Sequence, residues 1–88
     1  MPRVAFTAHL ARVGPPEVDV AGGTVGAALD AVFALYPRLG GYILDDQGRL
    51  RPHIAVFVDG ARLRNEEALG RPIAPDTEVY VLQALSGG

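Results

Sequence analysis

Few segments leave a chain as little structural choice as Val79-Tyr80-Val81-Leu82-Gln83-Ala84-Leu85, which runs directly into Ser86-Gly87-Gly88. β-branched and aromatic residues alternate along it with no Pro or Gly before the tail, a pattern that predicts a strand at the centre of a sheet. The hydrophobic core is therefore expected to extend almost to the last residues. Gly87 and Gly88 have no Cβ atom, so the tail of Leu85, Ser86, Gly87 and Gly88 is expected to be flexible and able to thread a channel too narrow for side chains. A frayed chain end is the plainer account of two glycines. The core strand and the short Leu-Ser spacer before them favour the threaded tail.

The rest of the composition narrows the possibilities. With 88 residues, 49% hydrophobic and 20% charged, the chain is expected to form one domain over residues 1–88. Folding such a domain buries about 60–65% of the surface its unfolded form exposes. The absence of cysteine excludes disulfides, thiolate metal sites, persulfides and nucleophilic thiols. Met1-Pro2-Arg3 lacks the apolar core of a signal peptide, and no apolar run is long enough to span a bilayer, so the expected location is the cytoplasm with no membrane partner. A net charge of −2 leaves no surplus of cations to displace counterions from phosphates, which argues against nucleic acid as a partner. All eight basic residues are Arg, consistent with a coding bias toward GC. It also means that no side-chain amine can accept an acyl group; only the Met1 amine could.

Along the chain, Val4, Phe6 and Ala8 alternate with Ala5, Thr7 and His9 and predict a first strand, broken at Gly14-Pro15-Pro16. Glu17-Val18-Asp19-Val20 predicts its antiparallel partner. His9 has no second ligand at metal-binding spacing and is expected to be a surface residue. Thr24 is placed to cap a helix from Val25 to about Tyr36, with Val25, Ala28, Leu29, Val32 and Tyr36 on one stripe, Phe33 and Leu35 flanking it, and Pro37 as the stop. Residues 38–52 read as a loop with one short helical turn, in which Gly40-Gly41 and Asp45-Asp46-Gln47-Gly48 are turn signals. Asp45 and Asp46 lack the further oxygen ligands of a calcium loop, and no glycine-rich segment has phosphate-cradle spacing, so neither a metal nor a bound nucleotide is expected. His53 to Val58 predicts a third strand, Asp59-Gly60 a tight turn, and Arg62-Leu63-Arg64 a short partner strand. A helical turn at Glu66-Glu67-Ala68-Leu69 and a turn at Pro75-Asp76 lead into the final strand.

Two strands, a capped crossover helix and three further strands describe an α+β domain, a mixed sheet of about five strands wrapped around one main helix. This is the β-grasp, or ubiquitin-like, arrangement, in which the last strand lies parallel to the first. The order of elements, Thr24-Val25, Ile54-Ala55-Val56-Phe57-Val58-Asp59-Gly60, Asp76-Thr77-Glu78-Val79 and Leu85-Ser86-Gly87-Gly88 together resemble the MoaD/ThiS sulfur-carrier proteins over essentially the whole chain.

That resemblance implies a carrier with no catalytic residue of its own. A ubiquitin-activating-type adenylyltransferase would use ATP to adenylate the Gly88 carboxylate, a sulfur donor enzyme would convert it to a thiocarboxylate, and a sulfur-acceptor synthase would consume the product. The position of the Pro-Pro common in molybdopterin-synthase small subunits is held by Gln83 and Ala84. Gln83 resembles thiamine-type carriers, while the 38–52 insertion and Arg51-Pro52-His53 look like carriers that serve cysteine biosynthesis or other specialised sulfur pathways. If Val79 and Val81 face the helix, Tyr80, Leu82 and Phe57 share the opposite face and form an apolar patch that docks the activating enzyme. Scattered exposed apolar residues are the alternative for these three. A protein modifier joined to lysines through Gly88 and a non-catalytic interaction domain are the alternatives for the whole chain.

Overall fold

The computed structural model describes residues 1–7 and 10–83. Strand β1 (Arg3–Phe6) pairs antiparallel with β2 (Glu17–Asp19), with Val4 opposite Val18. The expected first strand is longer than the observed one. A 3-10 turn at Leu10–Arg12 buries Leu10, while Ala8 and His9, the other residues of that expectation, lie outside the described residues. Phe6 N–H donates to the Pro16 carbonyl at 2.9 Å, so Pro16 contributes the one backbone group it has.

Helix α1 (Val25–Leu35) begins where the sequence predicts. Thr24 is extended, and its Oγ1 accepts from Ala27 N–H at 3.1 Å. Val25, Ala28, Leu29 and Val32 form its buried stripe, with Leu35 at 62% exposure on the outer side. Residues 37–43 correct the expected loop: Pro37–Ile43 is a seven-residue helix, α2. Pro37 ends α1 and also opens α2 at its first position, where a missing N–H is harmless. Leu39 and Ile43, four residues apart, are both fully buried, and burying two such side chains is worth about 3–6 kcal/mol. That exceeds the ~2 kcal/mol that Gly40 and Gly41 cost a helix.

Strand β3 (Ile54–Val58) turns through Asp59 (φ 49°) and Gly60 (φ 86°) into β4 (Ala61–Leu63). Two successive left-handed residues make the hairpin turn whose twist suits the strands, and Asp-Gly is the dipeptide that tolerates it. A single helical turn, α3 (Asn65–Ala68), precedes β5 (Glu78–Gln83).

The sheet order is β2-β1-β5-β3-β4. The final strand lies at its centre, parallel to β1 and antiparallel to β3. Val79 and Val81 are wholly buried against a core that includes Val4, Val25, Leu29, Val32, Leu39 and Ile43. This is the β-grasp fold: a five-stranded mixed sheet wrapped around α1.

Candidate functional site

Strand β5 sets the site because its alternate residues divide between core and surface. Val79 and Val81 point into the core, so Glu78, Tyr80 and Leu82 line the open face of the sheet. Register adds their neighbours: Phe57 lies opposite Tyr80, Ala55 opposite Leu82, and Arg62 opposite Phe57. The Phe57 and Tyr80 rings are 6.5 Å apart at 57°, within the tilted range that aromatic pairs favour. Phe57, Tyr80 and Leu82, the three residues picked out in the sequence, therefore meet in one place. Together with Asp59, Gly60 and Glu78 they line a shallow concavity of about 560 Å³. Tyr80 is 40% exposed, Phe57 and Leu82 are half-buried, and Ala55 is buried on the same face.

The sequence reading missed the acidic border of this patch. Asp59 Oδ1 accepts from Glu78 N–H at 3.0 Å, and Asp59 N–H donates to the Glu78 carbonyl at 2.9 Å. This exchange holds the hairpin turn against the start of β5 and brings both carboxylates to the end of the patch farthest from Gln83. The signal was in the alternation itself, since Glu78 shares parity with Tyr80 and Leu82. Farther along that border, Arg3 Nε donates to Asp19 Oδ1 at 3.2 Å, and Arg3 Nη1 lies 3.9 Å from Glu17 Oε1. The hydrogen bond to Asp19, then the charges of Asp19 and Glu17, raise the Arg3 pKa above its ordinary value.

Two other candidate sites are occupied by the protein's own groups. At the start of α1, Val25 N–H donates to Arg71 O at 3.0 Å, Gly26 N–H to Leu69 O at 2.8 Å, and Ala27 N–H to Thr24 Oγ1. Those amides are not available to a phosphate. The Asp45 carboxylate accepts from Gln47 N–H at 2.9 Å and Arg49 N–H at 3.0 Å, closing a turn completed by Gly48 at φ 79°. The Arg49 N–H holds the Asp45 pKa below the ordinary aspartate value against partial desolvation, helped by Gln47 N–H and the charges of Arg49 and Arg51. Among the described residues, no group of three or more His, Asp or Glu side chains is placed to hold a metal, and no helix is long and apolar enough to cross a membrane.

Gln83 is still paired, opposite Ile54. The predicted tail residues Leu85, Ser86, Gly87 and Gly88 lie outside the described residues.

No protein-family model matches the chain. Small archaeal modifier protein 1 of Haloferax volcanii is 42% identical over 75 residues, which is 82% of this chain and 79% of that protein. A crystal structure of the Haloferax volcanii modifier superposes with a TM-score of 0.80 at 34% identity, covering 99% of this chain and 98% of that one. The Amycolatopsis orientalis BexX/CysO complex contains a chain that matches with a TM-score of 0.87 at 21% identity, each covered completely. That last likeness is one of fold.

Proposed function

Because the chain belongs to the ubiquitin-like β-grasp family of MoaD/ThiS-type sulfur carriers and modifiers, we propose that it carries sulfur as a thiocarboxylate on Gly88. A free carboxylate is a poor electrophile, so it must first gain a leaving group. A Gly88 oxygen attacks the α-phosphate of ATP on a ubiquitin-activating-type adenylyltransferase, pyrophosphate departs, and an acyl adenylate forms. Sulfur at the sulfide level, supplied by a donor enzyme, then attacks the acyl carbon and expels AMP. A synthase takes the sulfur onward and returns the carboxylate.

The observation that carries this reading is the placement of Leu85-Ser86-Gly87-Gly88 directly after a central strand, in a chain whose relatives share the fold over nearly their whole length. The cysteine-free sequence supports it further, because no thiol of this chain competes for the sulfur. Phe57, Tyr80 and Leu82 are the surface on which the adenylyltransferase docks. A CysO held in complex with BexX in Amycolatopsis orientalis supports a carrier that works against a partner protein.

Intact mass of the protein purified from its own cells, with the terminal peptide sequenced, tests the assignment. One oxygen of Gly88 exchanged for sulfur, a gain of about 16 Da, is the expected result. An unmodified carboxylate after incubation with ATP, a sulfide source and cell extract refutes it. The name of the Haloferax relative favours a second reading, a modifier conjugated through Gly88. Higher-mass conjugates that disappear when Gly87 and Gly88 are deleted would establish that reading.

A further inference from the structure

The docking role assigned to Phe57, Tyr80 and Leu82 leaves open what kind of surface covers them, and the charges around the patch answer it. Building on that role, we propose that the partner carries basic side chains where it meets Glu78 and Asp59, beside an apolar area that covers Tyr80 and Leu82. Charge then fixes the orientation in which the partner receives the tail.

The geometry of the tail limits where the partner can sit. Five residues follow Gln83, and five residues span at most about 18 Å. Any protein that holds Gly88 must therefore also lie close to the β5 end of the sheet. Leu82 adjoins Gln83, Tyr80 is about 10 Å farther down the strand, and Glu78 is about 17 Å away at ~3.3 Å per residue. A partner large enough to enclose the tail and cover Tyr80 thus reaches Glu78.

The charge at that end is one-sided. Glu17, Asp19, Asp59, Asp76 and Glu78 gather there, with Met1 and Arg3 as their cationic neighbours. Arg3 is already engaged by Asp19 and Glu17. Among the described residues, neither Glu78 nor Asp59 has a cation within ion-pair distance. On the other flank, Arg62 stands opposite Phe57 on the β4 edge and, among the described residues, has no carboxylate within ion-pair distance. The patch therefore carries negative charge along the start of β5 and positive charge at its β4 edge. An apolar patch alone permits several seatings, whereas this polarity favours one and penalises the reverse.

The test is ATP–pyrophosphate exchange by the ubiquitin-activating-type adenylyltransferase of the same genome, with the carrier concentration varied. It is run from about 0.02 to about 0.5 M salt, over which the screening length falls from roughly 20 to 4 Å. For the unaltered chain, kcat/KM is expected to fall steadily with salt. Glu78→Lys should raise KM by about tenfold or more at low salt with kcat retained, and flatten the salt dependence; Glu78→Gln should fall between. Leu82→Glu should be impaired at every salt concentration. The Glu78 side chain is exposed, and circular dichroism checks that each variant is folded.

If Glu78→Lys matches the unaltered chain while Leu82→Glu is impaired, the basic-partner inference is overturned and the docking role stands. If Leu82→Glu is also normal, the docking role falls with it, and if the unaltered chain supports no exchange, the carrier reading itself fails. Sedimentation showing a self-associated chain that Glu78→Lys disperses overturns the inference in favour of a second copy seated on the patch.

Discussion

Gly22 and Gly23 are adjacent, similar in sequence context and opposite in what a methyl group would do to them. A Cβ built on Gly22 would lie 2.6 Å from Ala28 N, 2.8 Å from Ala28 Cα and 3.1 Å from Ala27 C. These are backbone atoms in the first turns of α1, and contacts between such atoms need roughly 3.5 Å. The start of the helix would have to retreat by up to about 0.9 Å to restore that spacing. It is held in place by the hydrogen bonds to Arg71, Leu69 and Thr24, each worth about 1 kcal/mol. Overpacking of this kind costs about 1–3 kcal/mol, and partial loss of those bonds takes the total to about 2–4 kcal/mol. Gly23 has nothing within 4 Å of its built Cβ, and its φ lies outside the left-handed region. Gly23→Ala should therefore stabilise by about 0.4–1 kcal/mol, by restricting the unfolded chain. Urea denaturation followed by circular dichroism reads both changes. With a slope near 1 kcal/mol per M, Gly22→Ala should lower the midpoint by about 2–4 M and Gly23→Ala should raise it by up to about 1 M. Equal midpoints for the two variants would refute the claim that the start of α1 is fixed.

Two further outcomes follow from local hydrogen bonds. Thr24→Ala, which removes the acceptor for Ala27 N–H, should cost about 1 kcal/mol in the same titration, while Thr24→Ser should keep most of it. For Asp45, whose folded pKa is depressed, the stabilising contribution is present above the unfolded value of about 3.9 and is lost as pH falls through the folded value. The gap in stability between the natural chain and Asp45→Ala should therefore close on acidification through that window. A carbon-detected titration of the Asp45 carboxyl with a midpoint at or above 3.9 would contradict this account.

The parts of the fold that were legible in the sequence are those where local chemistry and burial agree. Thr24 caps α1 as its hydroxyl allows, Asp59-Gly60 makes the left-handed turn its composition suits, and the apolar alternation of β5 puts Val79 and Val81 inside. Helix α2 was hidden because the two signals disagree. Gly40 and Gly41 read locally as a turn, and only the three-dimensional burial of Leu39 and Ile43 makes the helix favourable. In the candidate site, Phe57, Tyr80 and Leu82 could be grouped from parity. Asp59 could not, because its position beside Glu78 depends on the β3–β5 register, which pairs Val58 with Val79 and is invisible until the strands are paired.

On the proposed function, the same strand explains why a tail of this kind would need a docking face. Holding five residues, two of them glycine, in one extended path costs on the order of 5–10 kcal/mol. Gly87 and Gly88 offer a partner no side chain in return, only backbone hydrogen bonds at about 1 kcal/mol net each and the Gly88 carboxylate. The shortfall must come from surface that is already ordered, and β5 supplies it two residues at a time. It is hydrogen-bonded on both sides, with Thr7 N–H donating to Val81 O at 3.2 Å on one side and Gln83 opposite Ile54 on the other. Tyr80 and Leu82 are therefore presented at no further cost in order, on the strand whose backbone continues into the tail. Tyr80 is 40% exposed and Leu82 half-buried, so covering what remains exposed contributes about 2–3 kcal/mol at ~25 cal/mol per Å², a substantial part of the shortfall. A polar replacement at Leu82 should thus act on the binding of the tail rather than on the stability of the fold, because the two opposing demands are carried by alternate residues of one strand.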